Sequence, residues 1–372
     1  MLIKNGEVYT KAFLFVKEDI RVEDGRIVEL APDLAPKKGE EVLDATGKKI
    51  IPGLTDIHSH GCKKYDYCDA DDKGLATMLA YEKSVGVTQM CPTTMTYPED
   101  KVEEICKVIA GHEQKADEAE IVGINLEGPY ISPQKVGAQN PAYVKPADAK
   151  YLRNLLEETG HLPKLITIAP EEEGNLEVIK EMKDEIRFSV GHTMATYDEA
   201  KEAFAAGAKH MTHLYNAMPG ITHRAPGPIV AAAETEGITA ELICDGIHSH
   251  PAAVRFAFAT FGADRIILIS DSTRATGMPD GEYELGGQPI FKAEGIARLA
   301  DGTISGSVTN LFDCMGRAIQ YGISPEDAVR AATYNPCKAI GILKDYGTIE
   351  VGKKANLDIV NADFTLSQVI ML

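Results

Sequence analysis

A chain of 372 residues, 44% hydrophobic and 25% charged, is longer than one small domain needs and ordinary in composition for a globular protein. A formal net charge of −18 with no basic stripe excludes the usual nucleic-acid and membrane-surface partners, while a few local Arg, His or Lys side chains still suffice to hold a small anion. Met1–Gly6 lacks the apolar core of a signal peptide, and seven cysteines without a CxxC pair suit a reducing compartment, so a cytoplasmic location is expected.

Residues 1–50 alternate apolar and polar side chains through Leu2–Tyr9, Phe13–Lys17 and Asp19–Leu30, with Asp24-Gly25 as a hairpin-turn signal. So small a β region cannot bury both faces alone. Asp345–Gly352 and Ala355–Val360 read as strands again, which predicts a small β-sandwich built from both termini, 1–50 and 343–372.

Between them, over 51–342, apolar strands alternate with helices. The strand candidates are 51–57, 87–92, 121–126, 165–169, 187–190, 210–213, 240–244 and 265–270. Helical patterns fall near 73–85, 99–113, 147–158, 175–184, 197–206, 227–236 and 251–261, with Asp148 and Thr196 as N-caps. Eight strands separated by helices predict a (β/α)8 TIM barrel rather than an open sheet. Residues 281–302 read as an inserted hairpin region, and helices near 307–321 and 325–341 complete the barrel.

The first barrel strand climbs into His58-Ser59-His60. Alternate strand residues share a face, so these two imidazoles project together and make half of a divalent-metal site. Active sites of such barrels lie at the C-terminal strand ends, where Glu127, His192, His213 and Asp271 also fall, with His248 just after the seventh strand. Among the other histidines, His112 and His161 read as solvated, His210 as facing away from His213, and His250 as a helix-entry residue. Cys62 and Cys68 read as free thiols rather than ligands. Ile168-Ala169-Pro170-Glu171 places no lysine at the fourth strand end, against a carboxylated-lysine bridge.

Five segments, Asp56–His60, Leu126-Glu127-Gly128-Pro129, Gly191-His192-Thr193, Thr212–Met218 (THLYNAM) and Asp245-Gly246-Ile247-His248, resemble the amidohydrolase superfamily. THLYNAM, LEGPY and Gly277-Met278-Pro279-Asp280-Gly281 resemble, within it, the N-acetylglucosamine-6-phosphate deacetylase family, over nearly the whole chain. That resemblance implies hydrolysis of the acetamide of a phosphorylated amino sugar, with Glu127, His192 and His213 as primary metal ligands and Asp271 as proton acceptor and donor. It also implies substrate contacts from Ala138, Gln139, Asn216, Ala217, His248, Ile304, Ser305 and Gly306, a phosphate contact from Arg224, and a homodimer. Some members carry His where this chain has Gln139, which can still bond a sugar hydroxyl. Zinc fits a mixed His/carboxylate set, as do iron and other first-row ions; the retained His58 and His60 allow a second ion bridged by Glu127. Two alternatives stay open: another amidohydrolase acting on a cyclic amide or an unphosphorylated N-acetyl sugar, and a silent scaffold.

Overall fold

The computed structural model describes residues 1–371. Eight parallel strands close into a barrel: Leu54–Ser59, Val87–Thr94, Ile124–Glu127, Pro163–Ile168, Arg187–Val190, His210–Met211, Thr239–Ile243 and Ile266–Ile269. Each pairs in parallel with the next. The seam between the last strand and the first is joined by single bonds: Asp271 N–H donates to the His58 carbonyl at 2.8 Å, and His60 N–H to the Ser272 carbonyl at 2.8 Å. Three residues proposed for the site, His58, His60 and Asp271, thus stitch the barrel shut.

The strands are near-continuous apolar runs because both faces are covered, by helices outside and by packed side chains within. Capping follows the sequence: Asp148 accepts from the Lys150 and Tyr151 amides, and Thr196 with Glu199 forms a capping box. The long helix expected over 325–341 is instead two, Pro325–Ala332 and Tyr334–Ala339. They break at Thr333, whose φ of −128° and ψ of −72° leave the helical range.

Chain ends form two further sheets. One orders Arg26–Ala31, Asp19–Glu23, Leu2–Lys4 and Val42–Asp44; the other orders Leu366–Ile370, Leu357–Val360, Lys49–Pro52, Glu7–Tyr9 and Phe15–Lys17. The Asp24-Gly25 turn is a tight hairpin with both residues at positive φ, as right-twisted strands require. Between the sheets lies a core separate from the barrel's, including Ile3, Val8, Ile20, Ile50, Leu357 and Ile359. The strand expected over 345–352 is absent; this segment turns, with Arg26 bonding Asp345 and the Gly352 carbonyl. The strand at Leu366–Ile370 was not foreseen.

Gly281–Leu285, Gln288–Ala293 and Ile296–Leu299 form an antiparallel three-stranded insert. All seven cysteines are free and buried, with no disulfide among the described residues. On the helix Asp72–Ser84, Glu82 is fully buried, and neither carboxylate oxygen has a hydrogen-bond partner among the described residues. Among the same residues, no helix is long and apolar enough to cross a membrane.

Candidate active site

At the C-terminal mouth of the barrel a cavity of about 250 Å³ has His60, Glu127, His192, His213, His248 and Asp271 in its lining. Glu127 is the hub. Its Oε1 lies 3.2 Å from His192 Nε2, 3.0 Å from His213 Nε2 and 3.3 Å from His58 Nε2; its Oε2 lies 3.1 Å from His60 Nε2. Asp271 Oδ1 sits 3.3 Å from His60 Nε2 and 3.7 Å from His58 Nε2.

The donor chemistry fits a cation. His192 Nδ1 lies 2.8 Å from the Lys135 carbonyl, which can only accept, so that nitrogen carries the proton and Nε2 presents a lone pair. His192 Nε2 and His213 Nε2 face each other at 3.0 Å beside a carboxylate, an arrangement that needs positive charge between its members. His60 gives the same result. Burial pushes it down, yet Asp271 and Glu127 together lift it to about 10, so the site calls for a proton or a metal ion. Ligand atoms group as Glu127, His192 and His213, and as His58, His60 and Asp271, each set within 4.8 Å.

Backbone geometry is unusual here. His192, His213 and Asp271 adopt positive φ of 45°, 27° and 47°. Such conformations are sparsely populated for residues with a side chain, and they cluster where structure is spent on function. Although burial pushes the Asp271 carboxyl up, its bond to His60 and the nearby imidazole charges hold it below the usual carboxylate range. At His248 burial acts downward, but Asp245, 2.8 Å from Nδ1, lifts the imidazole above its ordinary value.

Of the expected substrate residues, Ala138, Gln139, Asn216, Ala217, His248, Ile304 and Gly306 line the cavity, with Leu285 and Thr303 of the insert region closing one side. The insert is tied to the opposite loop: Gln288 Nε2 donates to the Ala138 carbonyl at 2.8 Å. Ser305 lies outside the lining; it is fully buried, and its Oγ has no partner among the described residues. Arg224 also lies outside it, exposed on the loop after the sixth strand.

Gln139 is also bonded within the protein. Its Nε2 donates to Glu127 Oε2 at 2.6 Å and its Oε1 accepts from the Thr96 amide at 2.7 Å, so the protein uses both ends of the amide. His112 is not solvated: its ring is 1% exposed, 2.6 Å from Asp72 and 2.8 Å from Glu118. His210 does face away from the cavity, as its position implied, and bonds Glu241 instead. Glu241 is the buried group that sequence reasoning missed. Its signal was a carboxylate inside the apolar run Thr239-Ala240-Glu241-Leu242-Ile243.

Residues 50–370 match the model of the amidohydrolase family. N-acetylglucosamine-6-phosphate deacetylase of Bacillus subtilis is 37% identical over 98% of this chain and 93% of its own length. N-acetylgalactosamine-6-phosphate deacetylase of Escherichia coli O157:H7 is 31% identical over 94% and 92%. Among solved structures, an aspartate-to-alanine variant of the Mycobacterium smegmatis N-acetyl-D-glucosamine-6-phosphate deacetylase, in complex with N-acetyl-D-glucosamine 6-phosphate, superposes with a TM-score of 0.92 at 31% identity, covering 100% of this chain and 97% of that one. Motifs, barrel and full-length similarity agree: the chain belongs to the amidohydrolase family.

Proposed function

We propose that this protein hydrolyses N-acetyl-D-glucosamine 6-phosphate to D-glucosamine 6-phosphate and acetate, in amino-sugar catabolism. The observation that carries this reading is the convergence of Glu127, His192, His213, His58 and His60 on one spot, with Asp271 beside it on the floor of a sugar-sized cavity. Glu127, His192 and His213 would hold a divalent ion, and His58 and His60 could hold a second; such an ion would lower the pKa of water and polarise the amide carbonyl, and zinc would suit these donors best, with iron or another first-row ion as substitutes.

This chain's own groups do the rest. Asp271, beside the proposed ligands, takes a proton from the attacking water and returns it to the leaving nitrogen. With Nδ1 committed to Asp245, His248 turns Nε2 to the acetyl carbonyl or the sugar. Ala138, Asn216, Ala217, Ile304 and Gly306 shape the walls against the sugar and acetyl group, and Ser305 supports that wall from behind. Arg224 binds the phosphate, its planar fork matching phosphate oxygens. It stands exposed and off the cavity wall, and the homodimer that the resemblance implies would let it reach the site of a second copy. The expected boundaries 1–50, 51–342 and 343–372 shift at their first border, since Lys49–Pro52 pairs with Leu357–Val360 and the barrel is taken to begin at Leu54; the buried, unpaired thiols suit the cytoplasm.

The test is acetate release from the phosphorylated and unphosphorylated sugar, with metal content measured in parallel. Asp271→Asn should lower kcat by about 10²- to 10⁴-fold; full activity would defeat the mechanism. The galacto epimer belongs in the same assay, since a relative 31% identical bears that name.

A further inference from the structure

We propose that Glu241 is a positioning residue that locks both halves of the metal site into their ligating form, with His210 as its brace. The inference rests on the metal-dependent reading above.

Thr239 and Glu241 stand two residues apart on the seventh strand, so both side chains point to one face of it. The Glu241 carboxylate is buried, and it can only accept hydrogen bonds. Oε2 takes two: from His58 Nδ1 at 2.9 Å and from the His213 backbone N–H at 3.1 Å. Oε1 takes a third, from His210 Nε2 at 3.1 Å. His210 Nδ1 then accepts from the Thr239 hydroxyl at 2.5 Å, which completes the brace.

Two consequences follow from those protons. His58 must carry its proton on Nδ1, so the lone pair on Nε2 points toward Glu127 and Asp271, the tautomer a ligand needs. The turn after the sixth strand is pinned twice by one residue. Besides the His213 amide on its carboxylate, Glu241 offers its backbone carbonyl to the Leu214 N–H at 2.8 Å. That is where His213 holds its φ of 27°. One carboxylate therefore touches a ligand of each set, His58 of one and His213 of the other, without entering the cavity lining. A buried carboxylate is a costly way to fill space; beneath a metal site it fixes tautomer and orientation.

Glu241→Gln is the discriminating variant. An amide has one acceptor oxygen and cannot accept from His58, His210 and the His213 amide together. The expected result is about 10- to 100-fold weaker retention of the ion on His58 and His60, read as metal content against graded chelator, with native circular dichroism. The Co²⁺-substituted protein should show altered visible bands. His210→Asn, which removes the brace alone, should weaken retention several-fold. If Glu241→Gln does not fold, His210→Asn decides. Unchanged chelator resistance in the folded variants overturns the role, even where the melting temperature falls, since that result describes mere structural support. A wild-type protein that holds no ion sinks the metal-dependent reading and this role together; a wild type with two ions and an indifferent variant sinks this role alone.

Discussion

Glu82→Gln makes the protein more stable, and increasingly so as pH rises. Burial, reinforced by the Asp56 charge, pushes this carboxyl from its ordinary 4.5 to about 8. In the native state Glu82 keeps its proton across that window, while the unfolded chain releases it, so the unfolded state is stabilised relative to the native one as pH climbs from 4.5 to 8. At about 1.4 kcal/mol per pH unit, the 2.5 units between 4.5 and pH 7 cost the wild type about 3 kcal/mol. Below pH 5 the cost is under ~1 kcal/mol, and above pH 8 it levels near ~5 kcal/mol. Glutamine has nearly the shape of the protonated acid and removes this penalty. Urea unfolding midpoints of both proteins at pH 5 and pH 8 measure the difference. Equal spacing at the two pH values, or a variant less stable at pH 8, would refute a neutral buried acid at this position.

Three further outcomes are expected. Arg224→Ala should raise KM for the phosphorylated sugar about 10- to 100-fold, the worth of one or two charged hydrogen bonds, and leave hydrolysis of the unphosphorylated sugar unchanged; equal harm to both denies the phosphate role. His58→Asn with His60→Asn should halve the bound metal while leaving some activity, and complete loss of metal from a folded variant would place that pair in the primary site. Gln139→Ala should loosen metal about tenfold with little change in KM, because its amide holds Glu127 at 2.6 Å; a KM effect alone would return Gln139 to the sugar.

The barrel was legible because parallel strands covered on both faces leave apolar runs of recognisable length, and because a ligand at a strand end interrupts such a run visibly, as at His192 and Asp271. Partner choice was not legible. His112 sits in a helix-end sequence that reads as solvent-facing, and only the tertiary approach of Asp72 and Glu118 encloses it. Nothing local in the sequence shows that Glu127 and the Thr96 amide engage both ends of Gln139. At the C-terminus the alternation at 345–352 lacked a neighbouring strand to pair with, whereas the less regular Leu366–Ile370 had the open edge of Leu357–Val360 beside it. Strand formation there was decided by the available ladder rather than by propensity.

The buried cysteines make the chain its own clock. Burial pushes Cys106, Cys244 and Cys337 up to about 12 and the other four above their ordinary value, so the native fold exposes almost no thiolate at neutral pH. Alkylating reagents and peroxide must wait for the fold to open. Cys91 lies on the second barrel strand, Cys106 and Cys314 on surrounding helices, and Cys337 where the last helix packs under the first strand, hydroxyl to sulfur with Thr55 at 3.1 Å. The order in which these sulfurs become labelled therefore records which part of the barrel parts first, with no probe added to the sequence.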